Sequence, residues 1–175
     1  MRTRSLVGAT LALFVSVALA APAWQRVQIG GSNLSIELPL APKAIEIPLT
    51  DAVRKQYSTM KTYQVISGQS AVVMTYSVLK ATKKVDIDGA ANGAMNSMKS
   101  RPGVNGWKGN ISKTTIQNRP ARRMSASFDA GGMSLKVEGM VVSDGAKMWQ
   151  VITTYTPSDK AGADLSKRVL NSLKF

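Results

Sequence analysis

Residues 72–100 read VVMTYSVLKATKKVDIDGAANGAMNSMKS, and residues 149–175 read WQVITTYTPSDKAGADLSKRVLNSLKF. Each stretch begins as a strand and finishes as a helix. In the first, Val72, Met74, Tyr76 and Val78 alternate with Ala71, Val73 and Leu79. Side chains alternate between the faces of a strand, so apolar residues at both parities predict a strand in the middle of a sheet covered on both sides. From Ile87 the period changes: Ile87, Ala91, Ala94, Met95 and Met98 fall on one helix face. Asp86 or Asp88 suits the first turn, and Pro102-Gly103 stops the helix. The small residues of this helix predict close packing on the sheet. The second stretch repeats the order, with a strand through Thr154-Tyr155 and Ser158 as the expected N-cap. Its helix should bury Ala161, Leu165, Val169 and Leu173. The spacing from Tyr to Asn-Ser is 20 residues in one stretch and 16 in the other. The echo is therefore architecture, from duplication or from the shared needs of a strand feeding a covering helix, and not a functional motif.

The remaining segments add strands. "WQRVQIGGSNLSIELP" reads as two short strands around Gly30-Gly31-Ser32-Asn33, with Leu34, Ile36 and Leu38 on the buried face. Pro39, Pro42 and Pro48 break regular pairing, so residues 39–57 read as an irregular connection with a helical turn around "TDAVRKQY". "KTYQVI" and "AVVMTYSVL" form a hairpin around Ser67-Gly68-Gln69-Ser70. In the second half, "WKGNISKTTIQ" and "ARRMSASFDA" are joined at Asn118-Arg119-Pro120, Gly131-Gly132 leads into "MSLKVEGMVV", and Asp144-Gly145 leads into "KMWQVITTY". The expectation is an α+β fold: a central, mostly antiparallel sheet of about six to eight strands with two main covering helices, as an αβα or two-layer sandwich.

The start of the chain points to export. Arg2 and Arg4 precede an apolar run from Leu6 to Leu19, and Ala18-Leu19-Ala20 stands before Ala21. That is the pattern of a secretory signal peptide over residues 1–20, with cleavage after Ala20 and one domain over 21–175. The run is shorter than the about 20 apolar residues of a membrane span. With no Cys at the cleavage point there is no lipid-anchoring site, so the expected product is a soluble, secreted protein, periplasmic in a double-membraned cell. The 0 Cys of the chain leave its stability to packing rather than disulfides.

The whole chain holds 23 Lys and Arg against 10 Asp and Glu, a net charge of +13. Loss of Arg2 and Arg4 leaves 21 against 10, or +11. Such a charge draws anionic partners, but an even scatter of Lys also simply maintains solubility. The catalytic repertoire is narrow. With 0 His and 0 Cys, the usual nucleophilic triads and zinc or copper sites are unavailable. Asp86-x-Asp88-Gly89 is a fragment of a calcium loop without its bidentate acid, and it reads better as a helix N-terminus. Glu37, Glu46 and Glu138 read as strand surface, not as the facing pair of a glycosidase. Ser77-x-x-Lys80 matches a penicillin-recognising motif only in letters, because on a strand these positions face opposite ways. No phosphate-binding glycine motif is present. No enzyme activity, cofactor, metal or nucleic acid is expected.

One basic cluster remains. Lys99 and Arg101 end the first helix, Lys108 and Lys113 lie on the next strand, and Arg119, Arg122 and Arg123 crowd the following turn, with Trp107 among them. These are the candidate anion-binding residues, for a lipid head group or acidic glycan of the envelope. The competing reading is a charged defence of an exposed sheet edge, with Trp107 in the core.

The pattern as a whole resembles the PsbP-like superfamily. The resemblance rests on Trp24 and its strand, "LSIELPLAP" at 34–42, the mid-chain helix and the closing "VLNSLKF". It implies an α+β sandwich around an antiparallel sheet and a non-enzymatic role in binding or assembly. It assigns no functional residue. The functional expectation is an accessory domain of the envelope with a protein partner. The alternatives are a binder of anionic envelope material and, given an apolar groove between sheet and helix, a carrier of a lipid or other small apolar ligand.

Overall fold

The computed structural model describes residues 23–80 and 84–175, so the expected signal sequence lies outside the described residues. In chain order, β1 (Gln25–Gln28) and β2 (Ser35–Leu38) pair as a separate two-stranded sheet. A short β3 (Lys43–Ile45) and helix α1 (Asp51–Gln56) follow, then β4 (Tyr57–Ser67) and β5 (Ser70–Leu79). Helix α2 (Ile87–Lys99) leads to β6 (Asn105–Ile116), β7 (Arg119–Ala130), β8 (Met133–Asp144) and β9 (Lys147–Tyr155), and helix α3 (Lys160–Asn171) closes the chain. Strands β3 to β9 form a seven-stranded antiparallel sheet in the order β3-β4-β5-β9-β8-β7-β6.

The two Thr-Tyr strands are neighbours at the centre of that sheet, with Tyr76 opposite Trp149 and Met74 opposite Val151. Strict alternation then builds two cores. One face presents Val72, Met74, Met140, Val142, Trp149 and Val151 to α3 and the β1–β2 sheet, where Leu34, Ile36 and Leu38 are fully buried. The other presents Met124, Ala126, Val137, Val141 and Met148 to Ile87, Ala91, Met95 and Met98 of α2. Helices thus cover both faces, which makes this an αβα-type α+β sandwich.

Glycine is required where the small sheet meets the large one. Gly30 sits at φ +66°, and a Cβ there would stand 3.0 Å from the Tyr76 ring and its Cβ. On the same side, Arg26 and Arg168 both bond the Glu37 carboxylate, and Arg168 lies 4.1 Å over the Trp24 ring. This clasp ties β1 and β2 to α3.

Several local expectations are corrected. The segment 39–57 holds the expected helical turn, α1, which Thr50 caps through the Val53 N–H, but it also contributes a strand, β3, that pairs with β4. The β6–β7 turn is Gln117-Asn118, both at positive φ, so Arg119 and Pro120 already belong to β7. Proline is tolerated there because the β8 ladder starts one residue later, at Ala121. The N-cap of α3 is Asp159, not Ser158, and Asp159 accepts a hydrogen bond from the Ser70 hydroxyl at 2.9 Å. The buried stripe differs as well: Ala161 is exposed, while Gly162, Ser166 and Leu170 join Leu165 and Val169 in the interior. Leu173 is buried, but beyond the end of the helix.

Candidate functional site: a groove between α2 and the sheet

The seven basic candidates do not gather in one place. Arg122 and Lys113 are opposite each other in the ladder and share the α2 face. There Arg122 grips Asp88 of α2 bidentately, with Nε and Nη2 at 2.6 and 2.8 Å from the carboxylate oxygens. These hydrogen bonds hold the Asp88 carboxyl below the usual range and raise Arg122, with Lys113 adding attraction at Asp88. Arg119 is engaged too, 3.0 Å from Asp144 with its guanidinium 4.1 Å over the Phe175 ring. Lys108 and Arg123 project from the opposite face of the sheet. Lys99 lies in the last turn of α2, where the helix dipole favours a cation, and Arg101 is exposed just beyond it. Trp107 is half-buried and stacks on Phe128 against the α2 core, as its core reading requires.

The carboxylates are accounted for in the same way. Asp86 caps α2 through the Gly89 N–H at 2.9 Å. Glu138 is not plain strand surface: it accepts from Ser166 Oγ at 2.6 Å, and Ser166 in turn meets Thr153 Oγ1 at 2.6 Å. Burial first, then the neighbouring Glu138 charge, pushes the Tyr155 phenol up. This chain joins α3 to β8 and β9.

Three carboxyls are held below their ordinary range: Glu37 chiefly by Arg168, Asp88 by Arg122, and Asp159 by the Gly162 amide and then Ser70. A carboxyl lowered on folding stabilises the fold above its unfolded value, and that contribution is lost as pH falls through its folded value. Stability is therefore expected to fall below about pH 4. Urea midpoints measured from pH 7 to pH 2.5 check this, and a flat profile refutes it.

One unfilled groove lies beside α2. This helix rests on β6, β7 and β8, so the same sheet face stays half-covered over β4 and β5. A groove of about 630 Å³ results. Its floor is Met60, Leu79 and Met148, and its wall is the Gly89, Ala90, Gly93 and Ala94 edge of α2, faced by Val53 of α1. The rim is polar, with Gln56, Lys84, Asp86 and Gln150. In register between Met60 and Met148, Ser77 faces the same side. It is 1% exposed, and its hydroxyl has no hydrogen-bond partner among the described residues. A buried hydroxyl without a partner is uncommon and costs about 1–3 kcal/mol.

This corrects the expectation of close packing by the small residues of α2. Ala91 does pack tightly, but Gly93 is exposed, and a Cβ on it would meet nothing within 4 Å. The glycines and alanines shape an opening. The sequence signal was the run "GAANGA" in a helix otherwise patterned for burial. The floor was not legible, because Met60, Leu79 and Met148 come from three separate strands.

No family model matches the chain, and no curated protein matches it in sequence. Solved structures do resemble it. LpqN of Mycobacterium tuberculosis, involved in cell envelope biogenesis, aligns at 17% identity over 87% of this chain and 90% of its own, with a TM-score of 0.52. The cyanobacterial PsbP protein CyanoP of Synechocystis sp. PCC 6803 aligns at 10% identity over 94% of this chain and 98% of its own, with a TM-score of 0.60. Likeness at such low identity is a likeness of fold, and it agrees with the resemblance carried by Trp24, "LSIELPLAP" and "VLNSLKF". The chain has a PsbP-like fold.

Proposed function

We propose that the protein is a non-enzymatic accessory protein of the cell envelope that holds an apolar chain, of the lipid acyl class, in the groove beside α2. The observation that carries this reading is the half-exposed apolar floor with an unpartnered Ser77 hydroxyl buried among its strands. Its volume lies within the about 300–1,000 Å³ of small-ligand sites. Methionine side chains adapt to irregular, flexible ligands, and two of the three floor residues are Met. Lys84, Asp86 and the two glutamines at the rim suit a polar head left at the surface. The export signal expected at residues 1–20 and the fold shared with an envelope-biogenesis protein support this compartment.

The test is titration of the mature protein with a fluorescent fatty acid such as cis-parinarate, followed by displacement with palmitate. A Gly93→Leu variant fills the groove from its wall, where nothing opposes a new side chain. It also removes a helix-interior glycine, so the unfolding free energy is expected to hold or rise, by up to about 1 kcal/mol. Binding should weaken at least tenfold. Absence of saturable binding to the wild type, or equal binding by a folded Gly93→Leu variant, overturns the proposal.

A further inference from the structure

The face of the sheet opposite the groove is covered only in part. Helix α3 packs on β8, β9 and β2, so the β6–β7 side of that face remains open to solvent. Register places Lys108 of β6 opposite Ser127 of β7, and Ser127 opposite Lys136 of β8. Directly opposed residues share a face. Two ammonium groups therefore flank one hydroxyl, on Cα positions about 10 Å apart across two strand spacings. One step along the ladder stand Asn110, Ser125 and Glu138. These residues line a shallow depression of about 430 Å³.

Two ammonium groups against one carboxylate leave the depression with a net positive charge. Among the described residues the ion pairs involve Arg26, Arg119, Arg122 and Arg168, and neither Lys108 nor Lys136 takes part. The one carboxylate present, Glu138, accepts the Ser166 hydroxyl on the α3 side. No aromatic side chain lines the depression; Trp107 and Phe128 stack on each other in the core of the other face. A sugar ring would have no platform there, whereas a compact anion would meet two point charges, a hydroxyl and an amide.

We infer that Lys108, Ser127 and Lys136 form a seat for a phosphate monoester, separate from the acyl groove and on the other side of the sheet. Arg123, two positions beyond Ser125 on the same face, extends the positive field along β7. Of the seven basic residues singled out in the sequence, the seat uses Lys108 and adds Lys136. Soluble phosphates, glycan phosphates and lipid head groups share this chemistry.

The experiment titrates uniformly ¹⁵N-labelled mature protein with inorganic phosphate and glycerol 3-phosphate, using glycerol as the neutral control. In parallel, sedimentation measures retention on phosphatidic acid vesicles against phosphatidylcholine vesicles. Saturable amide shifts confined to Lys108, Ser127, Lys136 and their neighbours are expected with both phosphates and not with glycerol. Lys108→Gln/Lys136→Gln should weaken the response at least tenfold. The charge-matched Lys99→Gln/Lys113→Gln variant, altered at the end of α2 and on the opposite sheet face, should change it less than threefold. Vesicle retention that follows the same pattern assigns the phosphate to a lipid head group. Phosphate binding without retention assigns it to a soluble or glycan source. Equal weakening in the two double variants reduces the effect to net charge and overturns the seat, as does a failure to saturate. Gly93→Leu should leave all these responses unchanged, so the seat and the groove stand or fall separately.

Discussion

Replacement of Trp149 by alanine is expected to destabilise the fold by about 3–5 kcal/mol, the range for an aromatic side chain removed from a packed interior. Trp149 is completely buried in β9, at the centre of the seven-stranded sheet. Its ring stacks on Tyr76 at 5.6 Å and meets the edge of Phe175 at 4.9 Å. Its indole Nε1–H donates to Ser32 Oγ at 2.8 Å, in the turn between β1 and β2. Three otherwise distant parts of the chain therefore lean on one side chain: the neighbouring strand, the small sheet and the last residue. Small domains have only about 5–15 kcal/mol of total stability, so Trp149→Ala is expected to be marginal. Trp149→Phe keeps most of the buried area and loses the hydrogen bond, at an expected cost of about 1–2 kcal/mol. Equilibrium unfolding in urea, followed by far-UV circular dichroism, measures both. A loss under 1 kcal/mol for the alanine variant would show that the small sheet and the C-terminus are held by other contacts.

Two helical glycines are expected to respond to the same substitution with opposite signs. Gly→Ala in a helix interior ordinarily stabilises, by about 1 kcal/mol. Gly93→Ala should do so, since a Cβ there meets open space. Gly162→Ala should instead destabilise by about 2 kcal/mol, because overpacking a tight interior outweighs propensity. A Cβ at Gly162 would stand 2.7 Å from the Cβ of Tyr155, which belongs to the rigid central sheet, and 2.6 Å from the Asp159 carboxylate. It would also press on the Ser70 hydroxyl and so break the Ser70–Asp159 bond. Thermal unfolding of the two variants beside the wild type checks the pair. A stabilised Gly162→Ala would mean that α3 lifts from the sheet without cost.

The difference between these glycines was not visible in the sequence. Both occur among alanines on a helix with a clear apolar stripe, and composition treats them alike. Gly162 lies against Tyr155 of β9 and against Ser70, whose hydroxyl bonds Asp159 from 89 residues away. Gly93 stands free because the strands beneath it belong to the uncovered part of the face. The basic cluster shows the same limit. Arg122 and Arg123 are adjacent in sequence, yet one is committed to Asp88 and the other projects from the opposite side of the sheet. Glu138, read as surface, is drawn into a buried hydroxyl chain by a helix that follows it by more than twenty residues.

Local pattern alone was enough for the order of the longer strands and of the helices, the central place of β5, the apolar face of α2 and the α+β class. These are properties of local periodicity, two residues for a strand and about 3.6 for a helix, and the backbone imposes them wherever the pattern occurs. Tertiary packing is what takes β1 and β2 out of the main sheet, binds Arg122 to a helix, leaves a groove open beside α2 and sets Lys108 and Lys136 on either side of one serine. Each of these depends on register and crossing between elements far apart in the chain. A one-residue shift of register exchanges the two faces of a strand, and so exchanges which side chains meet.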